Sequence, residues 1–302
     1  MEMFNPKVLK ERLGPLKKAK NLSNLQEVEA YVLPKLKEAG LETSYDVLAQ
    51  EMPYFRTMGY TEYATCFIFQ PLNIQFRLDM IKDGFEDKDN LDVKDYSTYF
   101  SQNILNKTAN KYQDRETDDK YPVREVLVVL PGSNKLKERT CINKLKHIVK
   151  KYGDNVWFKP HPITTHQVIG ELKDIFGENR LLPRNLDMYH YLKFARKVYT
   201  THISESAIYS VALGKEIEPI DVINGMEIGS FYNINSFLFQ NQANGKEWIN
   251  KTLSSPKSGF ICPTIDENWK QKVDLYLEYM VEKRDKYKGW YIDQNPKKKN
   301  EK

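Results

Sequence analysis

The sequence predicts an α/β protein with parallel strands, and three observations lead there. From Glu125 onward, short apolar, β-branched runs alternate with segments of helical period. The turns between them carry Gly, Pro, Ser and Asn, residues that end strands and open helices. The chain has 302 residues, 40% hydrophobic and 29% charged, enough to bury the core of one large or two medium domains. Strands that alternate with helices pair in parallel through right-handed crossovers, the layout of a Rossmann-like domain.

Taken in order, residues 8–20 and 25–39 have helical spacing, with Ser23 or Asn24 as the N-cap of the second and Gly40 as its stop. Residues 65–70, Thr-Cys-Phe-Ile-Phe-Gln, are a β-rich run ended by Pro71, and 74–81 fits either a strand or a helix. Residues 83–95 are acidic and contain Gly84, which predicts a surface loop; 96–111 is helical. The polar stretch 113–122 has no apolar period and is the expected domain boundary. Beyond it come a strand at 125–130, the loop Pro131-Gly132-Ser133-Asn134 and an amphipathic helix at 136–152. Leu136, Ile142, Leu145, Ile148 and Val149 share one side of that helix. A strand at 155–158, a helix at 163–176, a short strand at 180–183 and a helix at 186–195 follow. A strand at 197–201, a helix at 206–213, a strand at 216–222 and a late helix at 269–286 complete the pattern.

Composition limits the function classes. No run of about eighteen apolar residues exists, so no membrane-spanning helix is expected. Met1-Glu2-Met3-Phe4-Asn5-Pro6 lacks the apolar centre of a signal peptide. Cys66, Cys141 and Cys262 are far apart and odd in number, which predicts neither a disulfide framework nor a Cys-x-x-Cys metal site and fits a reducing cytoplasm. His161 and His166 have no carboxylate at useful spacing, so no metal is expected. The net charge is +5, with cations concentrated in residues 7–20 and at Lys297-Lys298-Lys299. That balance fits a polyanionic partner drawn in by charge, and equally fits solvated basic tails.

Two strand-to-helix turns carry the candidate chemistry. Trp157-Phe158-Lys159-Pro160-His161-Pro162 runs a hydrophobic strand into a turn stiffened by two prolines. Lys159 and His161 are placed there to meet an anion, since ligands collect at strand ends where a following helix presents unpaired amides. Val198-Tyr199-Thr200-Thr201 then runs into His202-Ile203-Ser204-Glu205-Ser206-Ala207, rich in hydroxyls. One cationic and one hydroxyl-bearing turn suit a pyrophosphate or a phosphate-sugar. Gly132 permits close backbone approach, and Ser133 or Asn134 can cap a helix and donate to phosphate. No Gly-Lys-Ser/Thr follows, so this loop is not a P-loop.

Lys159-Pro160-His161-Pro162, then Ser204-Glu205-Ser206-Ala207 and Ala212-Leu213-Gly214-Lys215, resemble the nucleotide-binding half of certain GT-B glycosyltransferases. These are bacterial sialyltransferases, capsule Kdo-type transferases and teichoic-acid glycerophosphotransferases, and the resemblance spans residues 125–222. It implies an α/β, GT-B-like fold of two Rossmann-like domains facing a cleft. Residues 1–118 would then form the acceptor-side domain, 119–265 the nucleotide-sugar-binding domain, and 266–302 a C-terminal helix and basic tail. It also implies that the His-Pro turn and the Ser-rich turn hold the phosphate and ribose of a nucleotide sugar, often of cytidine. Relatives often have adjacent serines where this chain separates Ser204 and Ser206 by Glu205, so which hydroxyl meets phosphate stays open.

The expected site is therefore Gly132, Ser133, Asn134, Lys159, His161, His202, Ser204, Glu205 and Ser206, with Glu205 on ribose hydroxyls or as a first-turn acid. His161 would also stabilise the leaving phosphate. The base that takes the acceptor proton is expected from the first domain, with Glu62 preferred to Asp79. The implied enzyme is a metal-independent glycosyltransferase with no cofactor beyond its nucleotide-sugar co-substrate. Its location would be the cytoplasm, or a host's cytoplasm if phage-encoded. Charge and aromatic content point to a polyanionic acceptor such as duplex DNA with hydroxymethylated bases. The motifs point to a capsule or surface glycan. A GT-B-shaped sugar-nucleotide epimerase and a non-catalytic nucleotide-binding protein remain as alternatives.

Overall fold

The computed structural model describes residues 22–40, 66–69, 71, 74–105, 117–132, 136, 142–162, 164–221 and 231–293. In chain order the elements are α1 (Leu22–Glu38), β1 (Phe67–Ile68), α2 (Ile74–Phe85), α3 (Tyr96–Leu105), β2 (Val126–Val129), α4 (Ile142–Tyr152) and β3 (Val156–Lys159). Then come α5 (His166–Phe176), α6 (Met188–Phe194), β4 (Lys197–Thr200), α7 (Ser206–Ala212), β5 (Glu216–Pro219), α8 (Tyr232–Gln240), α9 (Gly245–Ser254), β6 (Phe260–Ile261) and α10 (Trp269–Asp293). The chain divides into two compact units. One contains Ser97–Lys246, and the other combines Ala19–Tyr96 with Glu247–Lys302. The divisions fall inside α3 and α9, and the polar stretch ending at Pro122 leads into β2 within the first unit.

The first unit is a mixed α/β body on one four-stranded sheet of order β3-β2-β4-β5. All three pairings are parallel, with Val126↔Val156, Val126↔Lys197 and Lys197↔Glu216 in register. Strands covered on both faces become nearly continuous apolar runs, and Val126–Val129 is buried at every position. Side chains alternate between faces. Val126, Val128, Val156, Phe158 and Tyr199 therefore share one face, where they pack with Leu145 and Ile148 of α4 and Val168, Leu172 and Phe176 of α5. Phe158 and Phe176 stack with ring centroids 4.3 Å apart. Removing the Phe158 ring would cost about 3–5 kcal/mol. Leu127, Val198 and Ile217 are buried on the other face.

Local chemistry sets the helix ends. Thr165 caps α5 through Val168 N, and Gly177 ends it at φ 84°. Asp187 caps α6 by accepting from Tyr189 N at 3.0 Å. The expected strand at 180–183 is instead a short 3-10 turn, Glu178–Arg180, followed by one parallel bridge from Leu181 to Phe158. Pro183 has no amide with which to extend the pairing. Further expectations fall partly or wholly outside the described residues: the helix at 8–20, the starts of those at 136–152 and 163–176, the first part of the stretch 113–122, and the ends of the runs at 65–70, 96–111 and 216–222.

In the second unit, β1 and β6 pair antiparallel, with Phe67 opposite Ile261 and Ile68 opposite Phe260. Among the described residues this unit has no parallel strands. Its core joins Val28, Val32 and Leu36 of α1 to Phe67, Phe76, Met80, Val273 and Tyr276. Residues 74–81 belong to a helix, α2, that continues to Phe85, so the expected loop begins later than residue 83. Gly84 lies inside α2, where a Cβ would meet the Thr252 carbonyl oxygen at 3.4 Å, an ordinary contact. Glycine there carries the roughly 1 kcal/mol helix penalty, and the tertiary packing of α2 overrides it. α1 starts at Leu22, which places Ser23 and Asn24 in its first turn, and Gly40 ends the segment at φ 65°. No described helix is long and apolar enough to cross a membrane.

Candidate functional site

The chain runs from β2 outward to β3, then returns past β2 to β4 and on to β5, so its direction reverses between β2 and β4. In open parallel sheets that reversal opens the connections beyond the strand ends, and ligands settle there. Val128 pairs with both Phe158 and Tyr199. Counting three residues onward, Pro131, His161 and His202 leave the sheet at one level. With strands about 4.8 Å apart, the His161 and His202 backbones leave the sheet roughly 10 Å apart, on either side of Pro131.

At the β3 end, Lys159 is 2% exposed. Its Nζ donates to the carbonyls of Pro160 at 2.9 Å and Arg184 at 3.1 Å. A buried ammonium needs such acceptors, and these tie the turn to the chain before α6. His161 is half-buried, and its carbonyl accepts from Thr164 N at 2.9 Å. Arg184, absent from the expected site, donates to the Thr164 carbonyl at 2.8 Å and to His166 Nε2 at 3.2 Å. It braces the His-Pro turn from below. At the β2 end, Gly132 is buried, while Ser133 and Asn134 lie outside the described residues.

At the β4 end, three hydroxyls form a chain. Ser206 Oγ lies 2.8 Å from Thr200 Oγ1 and 2.7 Å from Ser204 Oγ. Ser206 and Thr200 are buried, and Ser204, which also accepts from Ser206 N, is the half-buried outer end. Glu205 occupies the N-cap position of α7 in a helical conformation, without a side-chain cap bond. His202 is held by a residue absent from the expected set. Its Nδ1–H donates to Asp221 Oδ1 at 2.7 Å and its backbone N–H to Asp221 Oδ2 at 2.9 Å. Both side chains are buried, at 5% and 6% exposure. Tyr232 and Phe239 of α8 pack on the imidazole with centroids 5.6 and 4.7 Å away. Burial, reinforced by the Asp221 charge, raises the Tyr232 phenol's pKa and keeps it neutral. Asn235 Nδ2 donates to the carbonyls of His202 and Ser204 at 2.7 and 2.8 Å, which fixes the turn.

The expected bases lie elsewhere. Glu62 is outside the described residues, and Asp79 is on α2 in the second unit. Partial burial works to raise the Asp79 pKa, but hydrogen bonds from Tyr287, Gln75 and Lys286 outweigh it and hold the carboxyl below the ordinary carboxylate value. A carboxylate with three donors is an anchor between α2 and α10 and a weak proton acceptor.

The first unit is thus a doubly wound parallel α/β body whose switch-point connections bear two imidazoles and a hydroxyl chain. No family profile matches this chain, and no curated protein matches it. Among solved structures it is similar to Thermosulfurimonas dismutans KpsC, a beta Kdo 2,7 transferase, at 15% identity and a TM-score of 0.34, over 65% of this chain and 69% of that one. A likeness at that level carries neither fold nor activity over to this protein.

Proposed function

We propose that the Ser97–Lys246 unit binds the phosphates of a nucleotide sugar and that the protein transfers the sugar to a hydroxyl acceptor. The observation that supports this is the turn after β4, where the Ser204 hydroxyl and a carboxylate-backed His202 lie on one backbone segment gripped by Asn235. Oriented donors of this kind stabilise charge that grows on a leaving phosphate. His161 faces the same charge from the β3 side. Ser204, as the outer end of the hydroxyl chain, is the hydroxyl assigned to phosphate, with Ser206 behind it. Lys159 supports the turn through its carbonyl contacts. Glu205 takes ribose hydroxyls, and Gly132, Ser133 and Asn134 are assigned to the donor diphosphate.

In this GT-B-like reading the residues before Ser97, within the expected 1–118, supply the acceptor side and Glu62 the base. The acceptor assigned is a hydroxyl of a capsule or surface glycan, because the two turns are the part of the chain that resembles transferases of that class. Supplying each nucleotide sugar in turn, with an oligosaccharide and with hydroxymethylcytosine-containing duplex DNA, tests both levels. Sugar incorporation into the oligosaccharide from a cytidine-linked donor is expected. Incorporation into DNA alone would move the acceptor to nucleic acid, and no donor cleavage with any acceptor would remove the enzyme assignment.

A further inference from the structure

Asp221 has no other hydrogen bonds among the described residues than the two it accepts from His202. A buried carboxylate spent wholly on one residue fixes that residue's ring, main chain and tautomer together. With Nδ1–H committed to Asp221, Nε2 is the nitrogen left for chemistry, and it makes no hydrogen bond among the described residues. Tyr232 and Phe239 limit rotation of the ring, and Asn235 holds the His202 and Ser204 carbonyls on one donor group. The groups packed on the imidazole are the Asp221 carboxylate beyond β5, the neutral Tyr232 phenol and the apolar Phe239 ring. The imidazolium carries its transferable proton on Nε2, and loss of that proton leaves the Nδ1–H ring bonded to Asp221.

We propose that Asp221 is a positioning residue that makes His202 the proton donor to the leaving phosphate, an inference that rests on the nucleotide-sugar reading. The bond between the anomeric carbon and the phosphate oxygen breaks, and its electron pair goes to that oxygen, which receives the Nε2 proton. The acceptor oxygen bonds to the anomeric carbon, and its proton goes to the acceptor-side base.

Nitrogen-15 NMR of the histidines in the full chain tests the clamp without any turnover. The neutral His202 ring should carry its proton on Nδ1, and cytidine monophosphate should perturb Nε2. In Asp221→Asn the neutral ring should lose its preference for the Nδ1–H form, because an amide can turn either its oxygen or its NH2 toward Nδ1. With the donor, kcat should drop about 10–100-fold and KM change less, with partial recovery in Asp221→Glu. A wild-type ring protonated on Nε2 overturns the clamp even if no variant folds. So does an unchanged tautomer in a folded Asp221→Asn. If the NMR results hold but wild type cleaves no nucleotide sugar, the clamp stands and the transferase reading falls.

A separate observation concerns two cysteines in the second unit. In the β1–β6 register, Phe67 faces Ile261 and Ile68 faces Phe260, so Cys66 falls opposite Cys262. Phe69 N donates to the Gly259 carbonyl at 2.7 Å, and alternation from there makes the cysteine pair a non-hydrogen-bonded one. Cα atoms at such positions lie about 4.5 Å apart, inside the range a disulfide spans. The Cys262 amide donates to Asp266 Oδ2 at 2.8 Å, which agrees with this. Both thiols are buried and neither is in a disulfide. Burial lowers the Lys272 pKa while Asp266 and both thiols raise it, so the ammonium is within electrostatic reach of both sulfurs.

We infer that Cys66 and Cys262 are an oxidisable pair. Hydrogen peroxide takes one thiolate to a sulfenic acid with loss of hydroxide, and the second thiol displaces water from it, so two thiols and one peroxide give one disulfide and two waters. Peptide mapping of peroxide-treated, alkylated full-length protein should find the Cys66 and Cys262 peptides linked and lighter by two hydrogens, with Cys141 still alkylated. Recovery of both as alkylated thiols, or a link to Cys141, overturns the pairing. A Cys66→Ser variant that still yields oxidised Cys262 as a disulfide does the same.

Discussion

Asp221 holds His202 by two bonds, one to the imidazole at 2.7 Å and one to the main-chain amide at 2.9 Å. His161, on the other side of β2, is placed by two prolines and a backbone turn closed through Thr164. The two imidazoles differ in burial, His202 being buried and His161 half-buried. A ring fixed by a buried carboxylate suits proton transfer, and a ring at a half-buried turn suits electrostatic contact with phosphate.

That difference predicts the kinetics of His161→Ala. The variant should fold normally and lose about 10–1000-fold in kcat/KM, the range for deleting one charge-stabilising donor. Most of the loss should appear as raised donor KM. Steady-state kinetics with the preferred nucleotide sugar decides it, and unchanged constants would remove His161 from the site.

Lys159→Met separates support from ligand contact. The Lys159 ammonium donates to the Pro160 and Arg184 carbonyls, and methionine would remove that donor from both. The expected cost is about 1–3 kcal/mol of unfolding free energy. Denaturant titration should show this with nucleotide absent. A stable variant that simply fails to bind nucleotide would transfer Lys159 to the phosphate-contacting set.

The strands, the helices between them and the two turns were legible because each is written locally, as an apolar run, a cap or a proline. Asp221 and Asn235 were not. Each acts across the fold on the His202 turn, 19 and 33 residues away in sequence, and neither belongs to a motif. Position 221 could have been reached by extending β5 to the sheet's C-terminal edge and asking which polar residue ends there. Gly84 misled because a glycine in an acidic stretch reads as a break, whereas α2 runs through it to Phe85. The 180–183 run misled because its leucines were buried by a single bridge. Acceptor chemistry had no local signature in any segment.

Asp79→Asn tests anchoring against catalysis. The wild-type carboxyl sits below its ordinary value, so it contributes stability that is complete above that value, near 3.8, and is lost as pH falls through the lower folded value. Asparagine cannot titrate. The stability gap between wild type and variant should be on the order of 1 kcal/mol at pH 6 and shrink toward zero in strong acid. Paired thermal melts across pH 2–6 give the gap, and kcat should stay within about threefold of wild type. A hundredfold fall in kcat with unchanged stability would restore Asp79 as the base.

The serine pair gives the most discriminating test. Ser206 is buried between Thr200 Oγ1 and Ser204 Oγ, so alanine there would strand the Thr200 hydroxyl in the core. Ser206→Ala should cost about 1–2 kcal/mol. Any kinetic loss should follow from misplacing Ser204. Ser204 is half-buried, and its removal leaves Ser206 still bonded to Thr200. Ser204→Ala should keep stability within about 1 kcal/mol of wild type and raise donor KM about tenfold. Melting curves and donor kinetics on both variants and the double variant resolve the roles. Because the two hydroxyls touch, the double variant should lose less than the sum of the single losses. Strict additivity would mean that the hydroxyls act independently. A larger kinetic loss in Ser206→Ala at unchanged stability would reverse the assignment and make Ser206 the phosphate contact.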